Sequence, residues 1–384
     1  MPDELPPVNY ELRVYEPPSA TPPYLNLRGV VSTALFKWSI RYGIAANKQR
    51  SFTATLEAES NRADWFEVNS IVVVRRKLGD LPWRVENAYV IRYRNGQSSP
   101  DALKLVIGGP DLYYFARKTQ MVPAVTDPDG YSRKSGTCDV VMKDYVTDQI
   151  GVGASAERRC PYLLVTGYLD PAEQGEQVSE AARYGVTLLD VLERLVPKGG
   201  LDFWFEWLPP NVRFRTGEFG TDRTVTGNPG GPFVVFTRER GNIMDVRNVD
   251  DWRAPAMGSV AYVMGAGRGV DQEVIARPAS GLAYGDATQW LDRVEIAVDA
   301  PEAEGGDTTA LETAGDKALS DLAPLRDLEL TARQVPGTLY GRDYFAGDKV
   351  TASDGGIVAD YRLEVEVYLS GDGGQTIDVE FERI

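Results

Sequence analysis

Short runs of alternating apolar and polar residues, separated by turns rich in glycine and aspartate, dominate the end of this sequence. The runs are Lys349–Ala352, Arg362–Tyr368 and Thr376–Phe381, and the turns fall at Asp354–Gly356 and Gly371–Gly374. Successive side chains of a strand point to opposite faces, so a period of two predicts strands with one buried face. We expect an antiparallel β-meander that closes the fold.

The first 115 residues carry the same pattern. The runs that predict strands are Tyr10–Tyr15, Lys37–Tyr42, Ser51–Leu56, Ser70–Arg76, Arg84–Tyr93 and Ala102–Ile107. Their connections are short, and two of them carry the turn pairs Gly79-Asp80 and Asn95-Gly96. Short strands with such turns are typical of a sandwich or a barrel. We expect one compact antiparallel β-barrel or sandwich here.

Helical patterns appear only after residue 116. Apolar residues three and four positions apart predict a helix over Cys138–Ile150. A second helix is expected after Thr187, a residue type that caps helix N-termini, with Asp190 in its first turn and with Pro197 and Gly199-Gly200 at its end. The aromatic run that follows predicts a hairpin over Leu201–Arg215.

Beyond residue 233, strand patterns alternate with loops until an acidic linker, 300–307, precedes a third helix with a capping box at Thr309 and Glu312. The predicted fold class is mainly β with some α, that is α+β, with two antiparallel β-barrels bracketing a mixed α/β section. The expected parts are a first barrel at 1–115, a mixed helix and hairpin domain at 116–235, a strand-rich section with a helix at 236–325, either its own domain or part of the second barrel, and the closing meander of the second barrel at 326–384.

Composition excludes several classes of function. The chain has no histidine, which removes catalytic triads and histidine-ligated metals. Cys138 and Cys160 are too few for a disulfide framework, so we expect free thiols. The net charge of −15 opposes bulk attraction to DNA, although DNA could pass an acidic surface without binding. The sequence has neither a signal peptide pattern nor a run of about 18 apolar residues, so no membrane-spanning segment is expected.

The stretch Gly265-Ala266-Gly267-Arg268-Gly269 follows a predicted strand and looks like a phosphate-binding loop. A dinucleotide site requires a helix directly after the loop, so that its amide groups meet the phosphates. Here Val270–Ile275 has the pattern of another strand. The glycines therefore predict a hairpin turn, and no cofactor-binding residue is assigned.

Acidic residues form two clusters in the second half of the chain, at Asp245, Asp250 and Asp251 and at Glu302, Glu304 and Asp307. Glycoside hydrolysis needs two carboxylates about 5–10 Å apart on rigid elements. The first cluster borders a predicted loop and the second lies on a glycine linker. We expect solvated surface, and no catalytic or metal-binding residue is assigned.

Aromatic residues concentrate on the first strand of the predicted hairpin. Period two places Phe203 and Phe205 on one face and Trp204 with Glu206 on the other. One face is expected to pack in the core and the other to form an interface. A platform for sugar binding is the alternative interpretation.

Seven stretches carry a resemblance to a known family: Leu105–Leu112, Asp139–Ile150, Arg158–Pro161, Thr187–Leu192, Gly241–Val246, Ser259–Gly265 and Gly347–Val350. Their order resembles the tail-hub, or baseplate-hub, proteins of long-tailed, non-contractile phages. Ser259 departs from the family pattern, in which asparagine is expected. The resemblance extends along nearly the whole chain.

This resemblance implies a structural protein without enzymatic activity or cofactor. Each chain would give two tail-tube-like barrels, and a homotrimer would form a ring that joins the six-fold tail tube to the three-fold tail tip and forms part of the DNA channel. The implied partners are the tail tube or distal tail protein, the tape-measure protein and the tip or fibre proteins. The implied location is the virion tail, assembled in the host cytoplasm.

Two further expectations accompany the hub interpretation. Asp348, Asp354 and Asp372, or their neighbours, are expected to line the channel. Many hubs continue into a lytic domain, and we expect none after Ile384. A related injection machine or gene-transfer particle would have the same sequence features.

Two alternative functions stay open. A carbohydrate-binding tail-tip protein for host recognition would use Trp204, Trp207 and the loop at 217–232. A glycoside hydrolase would use Asp250 or Asp251 together with a distant carboxylate.

Overall fold

The computed structural model describes most of the chain, and all structural statements concern this described part. It comprises residues 6–19, 21–22, 24–32, 39–45, 47–57, 63–99, 102–123, 130–165, 174–251, 259–266, 272–278, 293–300, 308–321, 325–370 and 374–384. Strands dominate it and helices are few, which confirms the mainly β, α+β class.

The elements follow in chain order. The first eight strands are β1 (Val8–Tyr15), β2 (Leu27–Ser32), β3 (Ser39–Ile44), β4 (Ser51–Glu57), β5 (Ile71–Leu78), β6 (Arg84–Val90), β7 (Tyr93–Ser99) and β8 (Ala102–Pro110). The middle of the chain contains α1 (Tyr114–Arg117), β9 (Tyr131–Thr137), α2 (Cys138–Gln149), β10 (Leu163–Leu164), β11 (Gln177–Arg183), α3 (Leu188–Gly199), β12 (Asp202–Leu208), β13 (Asn211–Gly217) and β14 (Val235–Thr237). The remaining elements are β15 (Ile243–Asp251), β16 (Val260–Met264), β17 (Val274–Pro278), β18 (Glu295–Asp299), α4 (Thr308–Asp321), β19 (Leu325–Ala332), β20 (Lys349–Asp354), β21 (Ile357–Leu369) and β22 (Gln375–Arg383).

The chain divides into two compact units, one formed by residues 1–245 with 331–384 and the other by residues 246–330. In the first unit, β2-β1-β5-β6 form an antiparallel sheet. Strand β5 begins with the apolar run Ile71–Val74, and all four of these side chains are buried. Burying each such side chain contributes roughly 1.5–3 kcal/mol, so this central strand anchors the sheet.

The middle of the first unit packs helices on short sheets. Strands β9 and β11 pair with each other, and β12 forms a hairpin with β13, which also pairs with β10. Helices α2 and α3 contact each other and contribute to one hydrophobic core with Phe203, Phe205 and Phe214 of the hairpin. The same core includes Tyr15 and Val73, so the middle section is packed continuously with the four-stranded sheet.

The second unit is a three-stranded sheet covered by a helix. Strand β16 pairs antiparallel with β17 and parallel with β18, and α4 packs on β16. The core of this unit contains Ala261, Val263, Leu311 and Leu319. Gly315 permits the close approach of the helix, because a Cβ atom there would lie 2.9 Å from a methyl of Val263.

Most predicted helix boundaries are confirmed. Helix α2 covers the predicted span, and Thr187 caps α3 in a reciprocal capping box with Asp190. Helix α3 continues past Pro197 and ends, as predicted, at the pair Gly199-Gly200, where Gly200 has φ +64°, a conformation that glycine adopts without strain. Helix α4 begins at Thr308, so Thr309 lies inside it.

The predicted turn at Asn95-Gly96 is wrong. These two residues lie inside β7, opposite Val106 and Leu105 of β8. All seven residues of β7 pair with residues of β8, and the last pair is Ser99 with Ala102. The hairpin therefore turns after Ser99. The preference of an Asn-Gly pair for turns is local, and pairing along a whole strand overrides it.

Strand β11 was not predicted from the sequence. Residues 177–183 form β11, with Val178, Glu180 and Ala182 buried on one face. The inward Glu180 conceals the period-two pattern in the sequence. Its carboxylate is buried with two cations beside it, Arg194 at 2.8 Å and Lys198 at 2.8 Å.

Candidate functional site

The first and last parts of the chain join in a single sheet. Strand β21 pairs antiparallel with β3, with Val365 opposite Ile44 and Leu369 opposite Ile40. The result is an eight-stranded sheet in the order β14-β20-β21-β3-β4-β8-β7, with β22 paired to the other side of β21. We call the β3–β21 pairing and the charged side chains around it the seam. No sheet in the described residues closes on itself, so the two separate barrels stay a prediction.

The hairpin of β21 and β22 places two glutamates directly opposite each other at the seam. Glu364 faces Glu380, and like charges in this position destabilise a hairpin. Arg50, in the connection from β3 to β4, donates to both carboxylates, at 3.0 Å to Glu380. Lys48 lies 2.9 Å from Glu364 and 2.9 Å from Glu382. Cations from the first part of the chain thus neutralise an acidic hairpin from the last part.

A second pair of like charges repeats this arrangement. Glu366 of β21 faces Asp378 of β22. Arg41 of β3 donates from Nε to Glu366 at 2.7 Å and from its terminal nitrogen to the other carboxylate oxygen. This bidentate contact fixes both position and angle. A shift of β21 by one residue would separate these pairs, so the charges specify the register of the seam.

A buried aspartate connects the seam to the aromatic hairpin. Asp202, at the start of β12, accepts hydrogen bonds from Arg362 of β21 at 3.0 Å and from the amide of Phe219 at 3.0 Å. Asn47, which follows β3, donates to the same carboxylate and accepts from the amide of Phe203 at 2.9 Å. Asn47 has φ +55°, and asparagine tolerates this left-handed conformation better than most residues. One carboxylate therefore positions three segments.

Another buried carboxylate lies beneath Arg50. Asp111 is 2% exposed and accepts from the backbone amides of Arg50 at 2.9 Å and Tyr113 at 3.1 Å. Burial raises the pKa of Asp111 to about 7, although both hydrogen bonds favour its charged form. The protonation of Asp111 is therefore coupled to the residue that neutralises the seam.

A network of tyrosines around Arg76 connects β5 and β6 to the closing part. The buried Arg76 donates to the hydroxyl of Tyr10 at 3.0 Å and to the carbonyl of Tyr340 at 2.7 Å. The hydroxyl of Tyr340 donates to Glu86, and that of Tyr10 donates to Gln375 of β22 at 3.0 Å. Burial raises the pKa of Glu86 and raises the pKa of Tyr10 to about 12. With a pKa of about 12, the hydroxyl of Tyr10 stays protonated at neutral pH.

Asp348 does not line a channel, contrary to expectation. Its side chain is enclosed, with the residue 1% exposed, and accepts from the amides of Thr221 at 2.8 Å and Phe345 at 2.9 Å. Arg223 donates to it from Nε at 2.6 Å. The aspartate of this turn therefore holds the segment 217–232 against β20. The period-two pattern did not reveal this, since a turn residue belongs to neither face of a strand.

The other two channel candidates differ from Asp348. Asp354 is half-buried and forms an ion pair with Arg238 at 3.2 Å. Asp372 lies outside the described residues. Of the carboxylates predicted to line the channel, Asp348 therefore has a structural role and Asp354 is already in an ion pair.

The aromatic hairpin separates its side chains as predicted. Phe203, Phe205 and Trp207 are buried in the core, and Trp204 lies on the other face. The guanidinium of Arg215 covers the ring of Trp204 at 5.5 Å, and Phe219 contacts that ring edge-on. Trp204 and Trp207 therefore do not form one sugar-binding platform.

The remaining candidates show no assembled chemistry. The amide of Gly265 donates to Glu273 at 2.8 Å, as expected for the hairpin of β16 and β17, while 267–269 lie outside the described residues. Asp245 lies in β15, and the side chains of Asp250 and Asp251 are not described. Glu302, Glu304 and Asp307 also lie outside the described residues. Within the described part, no group of three or more acidic or cysteine side chains could hold a metal ion.

A membrane helix was not expected from the sequence. Among the helices of the described residues, none has the length and hydropathy needed to cross a bilayer.

Comparison with known proteins decides the family. The family model described as siphovirus ReqiPepy6 Gp37-like protein matches residues 11–381, a span that contains both parts joined at the seam. The chain belongs to this family. The resemblance to tail proteins of long-tailed, non-contractile phages is thereby confirmed, and the protein is a structural component of a phage tail.

Solved structures of tail proteins have the same fold over nearly their full length. A tail protein from Neisseria meningitidis MC58 has a TM-score of 0.55 at 16% identity, with 97% of this chain and 96% of that chain covered. The 43 kDa tail protein of prophage MuSo2 from Shewanella oneidensis has a TM-score of 0.54 at 11% identity, covering 98% of both chains. Prophage tail protein gp18 from Listeria monocytogenes EGD-e has a TM-score of 0.51 at 12% identity, covering 97% and 94%. At these identities the likeness concerns the fold.

Among curated protein sequences, none matches this chain.

Proposed function

We propose that this tail protein is the hub of the tail tip. In this role a homotrimeric ring joins the six-fold tail tube to the three-fold tip and forms part of the DNA channel. The observation that carries the proposal is the seam, where residues 40–44 and 365–369 pair edge to edge. The seam joins the first and last parts of one chain edge to edge. A ring built from such parts would repeat this kind of contact around its axis.

The stoichiometry follows from the two parts. Residues 1–115 and 326–384 are the tail-tube-like parts, so three chains supply six of them around one axis. Residues 116–235 form a mixed domain, and residues 236–325 a strand-rich section with a helix. The two tube-like parts complete their barrels in the ring, which accounts for the open sheet of the single chain.

The charge of the chain suits this role. A net charge of −15 keeps DNA from binding to the wall of a channel, and passage then meets little friction. The partners are the tail tube or distal tail protein on one side and the tip or fibre proteins on the other. The tape-measure protein would contact the ring from within the tube. Assembly would take place in the host cytoplasm.

Negative-stain microscopy of the concentrated protein, with light-scattering mass on the same sample, tests the proposal. The expected result is three-fold rings with a central channel and a mass three times the 42.3 kDa of one chain. The same measurement with tail-tube protein added covers the case in which a partner ring is needed for closure. Dimers, or monomers in both samples, would contradict the proposal.

A further inference from the structure

The chain passes between its two compact units through one pair of strands. The division falls between Asp245 and Val246 inside β15, and between Leu330 and Thr331 inside β19. Within the described residues, β15 and β19 pair with each other and belong to no larger sheet. We call these two strands the ribbon. Both crossings between the units therefore run through a single two-stranded sheet.

The end of the ribbon that belongs to the first unit, its root, is held by a buried asparagine. Asn242 directly precedes β15 and is fully buried. Its side-chain amide donates to the carbonyl of Val235 at 2.8 Å, and its side-chain oxygen accepts from the amide of Thr237 at 2.8 Å. Its backbone carbonyl accepts from the amide of Arg333, directly after β19, at 2.8 Å. These contacts attach the root of the ribbon to β14.

Just beyond its root the ribbon has no covered face. Met244 is 70% exposed, and the next residue, Asp245, is exposed as well. Successive residues of a strand point to opposite faces, so neither face of β15 is buried at this point. Thr331 of β19 is also exposed. A two-stranded sheet without a packed face is only marginally stable by itself, so bending it here costs little packing energy.

The second unit is held together by its own contacts. Arg277 of β17 donates to both carboxylate oxygens of Asp316 in α4, at 2.6 Å and 2.9 Å, and this bidentate contact fixes the helix on the sheet. Gly315 of the same helix lies against Val263 of β16. The core beneath α4 shares no described side chain with the core around α2 and α3. A change in the orientation of the second unit would therefore leave both of these cores intact.

We propose that the ribbon is a hinge on which residues 246–330 reorient as one body relative to the first unit. Hinges are a few residues, at the ends of elements or in loops, that absorb changes in backbone torsion angles. The exposed positions Met244, Asp245 and Thr331 are the residues that bend, and Asn242 marks the fixed side. This hinge is a property of the chain beyond the proposed hub function and does not depend on it.

Distances between pairs of spin labels on the full chain, measured by double electron–electron resonance, test the hinge. The labels are attached to cysteines at four exposed positions: Asp144 on α2, Arg333 at the root, Ala297 on β18 and Lys317 on α4. All variants carry Cys160→Ser. Cys138 can remain, because its side chain is buried and burial raises its pKa to about 11. Labelled protein is diluted with unlabelled wild-type protein, so that distances within one chain dominate.

The pair Asp144→Cys with Lys317→Cys spans the ribbon. Its distance distribution should be at least about twice as wide as those of two matched pairs, because the chain would populate several orientations of the second unit. The matched pairs are Asp144→Cys with Arg333→Cys, inside the first unit, and Ala297→Cys with Lys317→Cys, inside the second. Both should give narrow distributions.

Each other outcome overturns the hinge for a different reason. Equal widths for all three pairs would show one rigid arrangement of the two units. A wide distribution for the pair at Asp144 and Arg333 would place the flexible point before the ribbon. A wide distribution for the pair at Ala297 and Lys317 would mean that the second unit loosens internally and does not move as one body.

Discussion

Arg223 donates from Nε to the carboxylate of Asp348 at 2.6 Å, inside the protein. The same carboxylate accepts two backbone hydrogen bonds, so its loss would leave a cation and two amides without their acceptor. Breaking a buried ion pair from one side usually costs about 3–5 kcal/mol, since the remaining charge stays buried. The pair therefore ties the segment 217–232 to the closing meander.

We predict that Asp348→Ala lowers the free energy of unfolding by about 3–5 kcal/mol. Urea unfolding monitored by tryptophan fluorescence measures this change. Asp354→Ala, at the end of the strand β20 that follows Asp348, is the matched control, because its partner Arg238 is 61% exposed and surface pairs contribute at most about 1 kcal/mol. Equal losses in the two variants would mean that Asp348 has no special role.

Arg50 is predicted to stabilise the seam more than Arg41. Arg50→Ala leaves the buried Glu364 opposite Glu380 with Lys48 as its remaining cation, and we expect a loss of about 2–3 kcal/mol. Arg41→Ala removes a side chain that is 63% exposed, so the expected loss is below about 1 kcal/mol. Unfolding in urea at constant ionic strength compares the two variants.

A double-mutant cycle isolates the contact between Arg50 and Glu364. Glu364→Gln keeps the shape of the side chain and removes its charge, so Arg50→Ala should cost less in that background. Residues in direct contact usually couple by about 0.5–3 kcal/mol. Strict additivity of the two substitutions would show that the seam does not depend on this pair.

The sequence predicted most of the strands because burial on one face imposes a visible period of two. The strands of the closing meander were predicted, as were β4, β5 and β8, but β21 begins at Ile357, before the predicted Arg362, and β8 continues to Pro110, beyond the predicted Ile107. Strand β11 was missed because Glu180 occupies an inward position, where two cations from α3 neutralise it. A local pattern fails when a partner distant in sequence allows a charged side chain at an inward-facing position of a strand.

The candidate site was hardly predictable from the sequence. Period two identifies the faces of β3 and β21, but nothing in either strand says that they pair with each other across more than 300 residues. The one available signal was charge, since Glu364 and Glu366 share a face of β21 with only Arg362 as a cation nearby in sequence. The enclosed Asp348 and Asp111 gave no signal, because a buried acidic residue looks like a surface one in a sequence.

The N-cap of α3 is predicted to contribute more than that of α2. Thr187 accepts a hydrogen bond from the amide of Asp190 at 3.1 Å, whereas Thr137, the N-cap of α2, accepts none from its helix. Loss of a functioning cap costs about 0.5–2 kcal/mol, so Thr187→Ala should lower the free energy of unfolding by about 1 kcal/mol. Thr137→Ala is the matched control, and a loss as large there would contradict the assignment.

The last prediction concerns pH and follows from Asp111. Burial raises its pKa to about 7, above the usual value of 3.8. Between these two values the folded state holds a proton that the unfolded state releases, so the stability contributed by this group declines as pH rises. The contribution is complete below about pH 4 and is lost as pH rises through about 7.

Urea unfolding of the wild type and of Asp111→Asn at about pH 5, 6, 7, 8 and 9 tests this. The free energy of unfolding of the wild type relative to the variant should fall from pH 5 to pH 7 and level off above pH 8. Subtracting the variant removes the contributions of other carboxyl groups, including Glu86, whose pKa burial also raises. Asp139→Asn is a suitable control, since its carboxylate is equally buried at 2% exposure but has Lys143 at 3.5 Å to balance its charge. Parallel curves for the wild type and Asp111→Asn would show that Asp111 is ionised throughout, and that the amides of Arg50 and Tyr113 outweigh its burial.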